Sequence, residues 1–434
     1  MKALSRNSAL LLLLAFSLSA FVPAWAQDFE HAPIEYSKHS GDNRVTRLMA
    51  DLQAGKKSLK HEPGLGYLRS LLAELKVPQS SQTLVFSKTS LQRQRISPAT
   101  PRALYFSDDT YVGFCCDGDV LEVSTVDKDL GAMFYTLDQS EEKPPRIIRQ
   151  TDNCLICHGS SSTKGVPGLV VRSVYSDAGG FPILSSGTYR TDHTSPFDQR
   201  WGGWYVTGTH GSQKHLGNLI VRDKRKPEQV DNAAGQNVTD LAKHFDSSGY
   251  LTPHSDIVAL MVLEHQADAH NYITQANFST RQALHYEQTL NRELGKTAGE
   301  HWESTRSRIK SVCEPLVEYL LFSEETPLTH KIQGTSPFAV DFQAQGPRDK
   351  QGRSLRDLDL TRRMFKVPCS YLVYSPSFSN LPKEAKDYVF SRLREILAGR
   401  DSGDKFKHLS PEDRKAICEI LTETLPGFAE PSSP

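Results

Sequence analysis

The spacing of apolar residues changes twice along this 434-residue chain. From Asn43 to Leu75 they recur with helical spacing, on either side of a Gly64-Leu65-Gly66 break. From Thr83 to about Val221, short runs rich in β-branched and aromatic residues alternate with turn residues, which predicts β-strands. Beyond residue 255 the helical spacing returns over longer stretches. These changes predict an α+β protein, in which a β-rich segment is followed by a mainly helical C-terminal region.

The same patterns divide the chain into segments. We expect a signal peptide at 1–26, an N-terminal helical segment at 27–80, a β-rich segment at 81–221, a loop or connection at 222–254, a helical region at 255–330, and a C-terminal helical region at 331–434 that packs on the rest. Strands are predicted at 84–86, 103–106, 111–114, 120–126, 133–137, 169–174 and 204–207. Long helices are predicted at 255–292, 307–322, 383–397 and 411–424, the last opened by Ser410 as a cap.

The N-terminus has the pattern of an export signal. Lys2 and Arg6 precede an apolar run from Ala9 to Phe21, and the small-residue pattern Ala24-Trp25-Ala26 follows. This order predicts cleavage after Ala26. The apolar run is too short to span a bilayer, and no other segment approaches the necessary length. We therefore expect a periplasmic or secreted protein with no transmembrane anchor after signal cleavage.

Charge limits the classes of partner. The chain has 51 basic and 51 acidic residues, with no long run of either sign. A basic patch or tail, the usual signature of nucleic-acid binding, is missing. A redox partner protein or a small-molecule substrate is therefore expected, and no nucleic acid.

One pentapeptide inside the β-rich segment has a nearly unambiguous chemistry. Residues 154–158 read Cys-Leu-Ile-Cys-His, a spacing that is typical of covalent haem c attachment. Cys154 and Cys157 would hold the porphyrin through thioethers, and His158 would be the proximal ligand of the haem iron. A redox dithiol would need a βαβ context, and a zinc site would need a second CxxC at short spacing. The sequence provides neither, so one covalent haem c is predicted.

A proline-containing loop, 165–169, follows the pentapeptide. Its spacing suggests a carbonyl that accepts a hydrogen bond from the ring of His158, a contact that orients a ligating imidazole and strengthens it as a donor. A tight turn with no such contact is the alternative, because Pro-Gly pairs form turns in many settings.

Two further stretches provide candidates for the sixth, distal iron ligand. One is rich in glycine and aromatic residues and includes His193, His210 and His215. Its Gly202 and Gly203 would let backbone approach a flat ligand, and Arg200 could pair with a haem propionate. The alternative is a glycine-rich sheet corner with an aromatic core.

The other stretch lies on the long helix predicted after Ser255. Met261 and His265 are four residues apart and so share one helix face. Either could face the haem iron, where sulfur raises the potential and nitrogen lowers it. Glu264, His265 and His270 also suggest a carboxylate-bridged metal pair, but the second helix that such a site needs is missing. We expect the sixth ligand to come from the histidines and the methionine of these two stretches.

The remaining cysteines lie outside the pentapeptide. They are Cys115, Cys116, Cys313, Cys369 and Cys418. Neighbouring strand residues point to opposite faces, so the adjacent pair is poorly placed to form a bridge. A disulfide among the last three is compatible with export, and the sequence alone leaves the pairing open.

Several blocks resemble a family of large, exported bacterial proteins with a single haem in a cytochrome c domain. The blocks are 84–92, 101–106, 131–139, 153–158, 200–211, 354–360 and 369–375. The resemblance extends over nearly the whole chain beyond the signal peptide. It implies haem c, export and a redox setting, and it gives firm roles only to Cys154, Cys157 and His158.

Two classes of function remain open from the sequence. The first is an exported c-type cytochrome that acts in electron transfer or as a redox enzyme, with no particular oxidoreductase reaction assigned. The second is a haem-based sensor or gas-binding module, or a peroxidase-like protein with an open iron, which would need a distal acid or base. The identity of the sixth ligand separates them.

Overall fold

The computed structural model describes residues 28–141, 144–296, 299 and 301–429. The expected signal peptide and its cleavage site lie outside the described residues. Within them, the chain is α+β with one large antiparallel sheet, which confirms the predicted class.

Helices and strands follow the predicted order. The helices are α1 (Arg44–Gln53), α2 (Leu68–Leu75), α3 (Leu155–His158), α4 (Ile257–Glu293), α5 (Glu303–Leu320), α6 (Phe338–Gln343), α7 (Pro376–Ser379), α8 (Lys383–Leu397) and α9 (Pro411–Thr424). The strands are β1 (Thr83–Val85), β2 (Arg102–Phe106), β3 (Thr110–Phe114), β4 (Val120–Asp127), β5 (Gly131–Asp138), β6 (Ile147–Gln150), β7 (Arg172–Val174), β8 (Thr188–Arg190), β9 (Trp204–Tyr205), β10 (Gly208–Thr209) and β11 (Gln333–Gly334). The predicted bounds of α8 and α9 are confirmed, and Ser410 caps α9. The strands predicted at 169–174 and 204–207 are shorter than expected.

The main sheet has the strand order β6-β5-β4-β3-β2-β1-β9, and each neighbouring pair is antiparallel. Register places Tyr111 opposite Phe106 and Phe134 opposite Gln150 on one face. Alternate residues such as Tyr135 point to the other face, because side chains alternate along a strand. Both faces are packed: the face of Phe134 meets α4, and the face of Tyr135 meets α1 and α2.

Helix α4 is the central helix of the described chain. Its N-cap is Asp256, whose Oδ1 accepts hydrogen bonds from the backbone N–H groups of Val258 and Ala259 at 2.8 and 3.2 Å. Residues 257–271 are all buried, so this half of the helix has no solvent face. A helix surrounded on all sides can present polar groups to several elements at once.

Two large apolar clusters hold the fold together, and both run across the predicted segment boundaries. One extends from Val85 in β1 to Phe428 beyond α9. The other extends from Phe29 to Phe278 in α4. The β-rich segment and the C-terminal helices therefore share a core, and each buries apolar surface of the other.

The sequence leaves open a disulfide among Cys313, Cys369 and Cys418, and the structure contains none between them. All seven cysteines are free thiols. Cys313 and Cys369 are each packed within the first apolar cluster, and Cys418 lies half-buried at its margin. Cys115 is buried at the end of β3, whereas Cys116 lies in the following turn.

In the described parts of the chain, none of the helices combines the length and apolar character that crossing a bilayer requires.

Candidate functional site

The Cys-Leu-Ile-Cys-His pentapeptide forms a single helical turn. The N–H of His158 donates to the carbonyl of Cys154 at 2.9 Å, and Gly159 donates to Leu155 at 2.8 Å. Residues three and four apart on a helix are neighbours on one face. The turn therefore presents the half-buried thiol of Cys154, the exposed thiol of Cys157 and the imidazole of His158 on the same side.

A hydrogen bond fixes the tautomer of His158. Its Nδ1 lies 2.9 Å from the carbonyl oxygen of Gly168. A carbonyl can only accept, so Nδ1 carries the hydrogen and Nε2 keeps a free lone pair. Burial lowers the pKa of His158, which favours this neutral form. Among the described residues, Nε2 has no hydrogen-bond partner.

The loop that supplies this carbonyl is held from both sides. The N–H of Gly168 donates to the carbonyl of His158 at 2.8 Å, so the loop and the pentapeptide are joined by two hydrogen bonds. The N–H of Ala132 in β5 donates to the carbonyl of Pro167 at 3.0 Å. The predicted contact between the proline-containing loop and the histidine ring is thus present in the structure.

Sequence reasoning missed one residue behind this loop. Asn271 of α4 accepts a hydrogen bond from the N–H of Leu169 at 2.8 Å and donates to its carbonyl at 2.7 Å. The sequence does not single out Asn271, because other polar residues such as Gln266 and Asp268 lie close to it on the same helix. Spacing gives no indication of which distant loop such a residue contacts.

The sheet face beside the pentapeptide is both aromatic and charged. The ring of Phe134 lies 4.8 Å from the ring of His158, centroid to centroid. Arg102 and Glu122 form an ion pair at 2.7 Å and act electrostatically on both Cys154 and His158. Burial is the main reason that the pKa of Cys154 is raised, to about 11. This thiol is therefore protonated at neutral pH.

Apolar surface is exposed on and near the pentapeptide. Ile156, inside it, is 75% exposed, and Ile148 of β6 is 45% exposed. Ile148 occupies the same sheet face as Phe134, because register places Phe134 opposite Gln150, two residues further along. Two thiols, an unpartnered imidazole nitrogen and uncovered apolar side chains are the groups that a covalently held porphyrin needs. The residues present therefore fit haem c.

His193 and His265 lie together in the interior. Their Nδ1 atoms are 3.0 Å apart, and Nε2 of His265 lies 2.8 Å from the hydroxyl of Ser370. The rings of Tyr319 and Phe322 pack against both histidines. Both ring nitrogens of His265 are thus occupied by protein groups.

His210 and His215 form a second pair, with ring centroids 4.6 Å apart. Nε2 of His210 accepts a hydrogen bond from the backbone N–H of Asn237 at 2.9 Å. Both ring nitrogens of His215 are buried without a hydrogen-bond partner, and its ring packs against Trp201. Met261 is buried in the first apolar cluster.

None of these distal candidates makes a hydrogen bond or ring contact with His158 in the described structure. On α4, Met261 and His265 precede Asn271, the residue that contacts the loop behind His158. At 1.5 Å per residue they lie about 15 and about 9 Å before it along the helix axis.

Within the glycine-rich stretch, the expected roles of Gly202, Gly203 and Arg200 are wrong. A Cβ on Gly202 would lie 2.6 Å from the carbonyl oxygen of Val174, and one on Gly203 would meet Ser87. These glycines thus admit other protein segments rather than a flat ligand. Arg200 is buried and bonded to Glu264 and to backbone carbonyls, so its charge is already compensated. The sheet-corner alternative describes this region.

Glu264, His265 and His270 do not converge. Glu264 pairs with Arg200, and Nε2 of His270 bonds to the carbonyl of Asp108 at 2.7 Å. Over the residues that the structure describes, no group of three or more His, Cys, Asp or Glu side chains is arranged to hold a bare metal ion.

A cavity of about 630 Å³ lies away from the pentapeptide, and Phe322, Glu324, Arg363 and His408 are among its lining residues. Its charges are largely paired, as in the 3.0 Å contact between Lys405 and Glu324. Glu325 also lines the cavity; it accepts a hydrogen bond from the N–H of Met364 at 2.8 Å but has no ion-pair partner among the described residues, and burial raises its pKa to about 7.

Comparison with known proteins identifies no relative: no family model, curated protein or solved structure matches this chain. The functional conclusion consequently depends on the geometry of the site.

Proposed function

We propose that this protein is a c-type cytochrome, with one haem held by Cys154 and Cys157 and with His158 as the proximal iron ligand. One observation supports this most directly. The ring of His158 is held through Nδ1 by the carbonyl of Gly168, while Nε2, on the same helical turn as both thiols, has no protein partner. A ligating histidine typically uses its other ring N–H in this way.

The chain's own residues have distinct tasks in this proposal. Cys154 and Cys157 would each hold the haem through a thioether, in which the sulfur bonds to one vinyl carbon, the thiol proton passes to the other and nothing is released. His158 donates the Nε2 lone pair, and the Gly168 carbonyl strengthens that donor. The bound haem supplies a one-electron couple.

The proposed setting is the periplasm or an extracellular space. The charged, apolar and small-residue pattern of residues 1–26 supports export. Electron transfer with a redox partner protein, or a redox reaction on a small molecule, uses the one-electron couple directly. The resemblance to large exported single-haem proteins points the same way.

A second candidate function follows from the placement of the distal candidates. Both ring nitrogens of His265 are engaged, and Met261 is packed in the core. Both residues precede the part of α4 that contacts the loop behind His158. An iron without a protein ligand on its distal side binds small molecules, which suits a gas sensor or peroxide chemistry.

The attachment experiment uses the full chain, expressed with its export signal in a bacterium that attaches haem c. We expect haem to remain on the denatured chain and the pyridine haemochrome to show two thioethers. Cys154→Ser or Cys157→Ser should shift this spectrum toward one thioether and one free vinyl, and the double variant should lose covalent haem. Cys418→Ser, which removes another half-buried thiol, is the matched control. A wild-type chain that releases all its haem on denaturation would overturn the proposal.

A further inference from the structure

A polar stripe on α4 lies against the loop behind His158. Asp268, Asn271 and Gln275 are three and four residues apart, so they share one helix face. Gln275 donates to the carbonyl of Lys164 at 3.2 Å, and Asp268 pairs with the ammonium group of Lys164 at 3.4 Å. A single helix face thus contacts the loop at several points.

Asn271 is the most constrained member of this stripe. It is fully buried, and its carboxamide bonds Leu169 at both the N–H and the C=O. Its Nδ2 also donates to Oδ1 of Asp268 at 3.1 Å. The N–H and the C=O of Leu169 need opposite partners, so the amide can sit in only one orientation. A buried amide with its bonds satisfied in this way is held rigidly.

The close approach of Asn271 depends on Gly168. A Cβ at position 168 would lie 2.2 Å from Oδ1 of Asn271 and 2.9 Å from Cβ of Thr163. No side chain fits in that space. Glycine at this position is therefore required by the contact with α4.

The decisive relationship involves one peptide group. The carbonyl of Gly168 and the N–H of Leu169 belong to the same peptide unit. His158 donates to its oxygen at 2.9 Å, while Asn271 accepts from its N–H at 2.8 Å. Hydrogen bonds at the two ends of one peptide polarise each other, so Asn271 makes the Gly168 carbonyl a stronger acceptor.

We propose that Asn271 is a positioning residue that fixes and polarises the Gly168–Leu169 peptide, strengthens His158 as an iron donor and so lowers the reduction potential of the haem. This inference rests on the proposed haem attachment. A stronger nitrogen donor stabilises the oxidised iron more than the reduced iron. Loss of the Asn271 amide should therefore raise the potential.

The test is spectroelectrochemical titration of purified holoprotein. Asn271→Ala should raise the midpoint potential, with the ratio of oxidised to reduced protein changing about tenfold at fixed ambient potential, which is about 59 mV for one electron. Asn277→Ala is the matched control, because Asn277 is also a buried asparagine of α4. Its amide bonds to the carbonyl of Lys128 at 3.5 Å and not to the loop at 165–169. It should leave the potential at the wild-type value.

Asn271→Asp distinguishes a positioning role of Asn271 from a nonspecific disturbance of packing. It keeps an oxygen that accepts from Leu169, and any added negative charge favours oxidised iron. Its potential should therefore lie at or below the wild-type value, opposite in direction to the alanine variant. This variant decides the question alone if Asn271→Ala does not accumulate as folded holoprotein.

The outcomes separate the two proposals. If the wild-type protein holds covalent haem but Asn271→Ala shifts the potential no more than Asn277→Ala, the role of Asn271 is overturned and haem attachment stands. A rise in Asn271→Asp similar to that in the alanine variant also overturns it. If the wild-type chain binds no haem, both proposals fail.

Discussion

Nδ1 of His193 lies 3.0 Å from Nδ1 of His265, in an interior where the two side chains are at most 2% exposed. Such a pair can be hydrogen-bonded only if one nitrogen carries a hydrogen and the other does not. Burial is the main reason that the pKa of His193 is lowered to about 3, and it lowers the pKa of His265 well below its ordinary value. Both rings are therefore neutral in the folded protein.

The neutral pair makes stability depend on pH. The unfolded chain takes up protons as pH falls through about 6.5, whereas folded His193 does so only near 3. Through His193 alone, the free energy of unfolding should thus decrease by about 1.4 kcal/mol per pH unit as pH falls between these values. His265, whose pKa is also lowered by burial, adds to this decline. Urea titrations from pH 7 to 4.5 should show a shallower decline for His193→Gln than for the wild type. His39→Gln, at an exposed position, should keep the wild-type slope. Equal slopes in His193→Gln and the wild type would contradict this account.

A second prediction concerns the buried ion pair of Arg200 and Glu264, whose nearest atoms are 3.4 Å apart. Burial raises the pKa of Glu264 to about 7, although Arg200 opposes this shift. Arg200→Met would leave the carboxylate uncompensated and should cost about 3–5 kcal/mol of unfolding free energy above pH 8. Adding Glu264→Leu should restore most of that loss.

The exposed pair of Arg225 and Asp223 is the control for this cycle. Its atoms are closer, at 2.6 Å, but both side chains are largely in water. Arg225→Met should therefore leave the denaturation midpoint unchanged. If the two arginine variants had similar effects, burial of Glu264 would not be the cause.

A third prediction concerns the distal side of the iron. Because His265 and Met261 are held by other contacts, we expect His265→Gln and Met261→Leu to leave the oxidised and reduced spectra unchanged. If the second candidate function is correct, the reduced wild-type protein should also bind carbon monoxide rapidly. Spectra recorded with and without carbon monoxide check both statements. A low-spin spectrum that disappears in either variant would instead identify the sixth ligand.

The cap of α4 gives a fourth prediction. Besides the two N–H groups of the helix, Asp256 accepts hydrogen bonds from the backbone N–H groups of Thr335 and Ser336, both at 2.8 Å, and from the hydroxyl of Ser336 at 2.9 Å. Asp256→Ala leaves the buried donors of the helix and the half-buried donors of Thr335 and Ser336 unpaired, and should cost about 2–4 kcal/mol, more than an ordinary cap. Chemical denaturation measures the loss. Asp246→Ala, which removes the cap of a short exposed turn, should have no measurable effect.

Local patterns account for what could be predicted from the sequence. The helices α8 and α9 have amphipathic spacing and clear ends, and β2 to β5 have strand composition bounded by turns. The turn of the pentapeptide and its contact with Gly168 also follow from short spacings. These features depend on residues within about ten positions of one another.

Contacts between distant segments could not be predicted. Gly202 and Gly203 indicate a close approach, but the sequence does not say whether a ligand or another strand approaches. His193 and His265 are 72 residues apart, and their pairing depends on how α4 crosses the sheet. Asn271 is 102 residues from Leu169. Such a contact gives no periodic signal.

The proline-containing loop at 165–169 is held by Asn271 of α4, and this contact has a consequence for the order of events during biogenesis. At about 5–20 residues per second, Asn271 is synthesised on the order of ten seconds after His158, which lies roughly 110 residues earlier. During that interval the Cys-Leu-Ile-Cys-His segment has emerged without the helix that later secures its histidine. If the chain is exported before it folds, an attachment enzyme would meet this segment before α4 packs against the loop at 165–169.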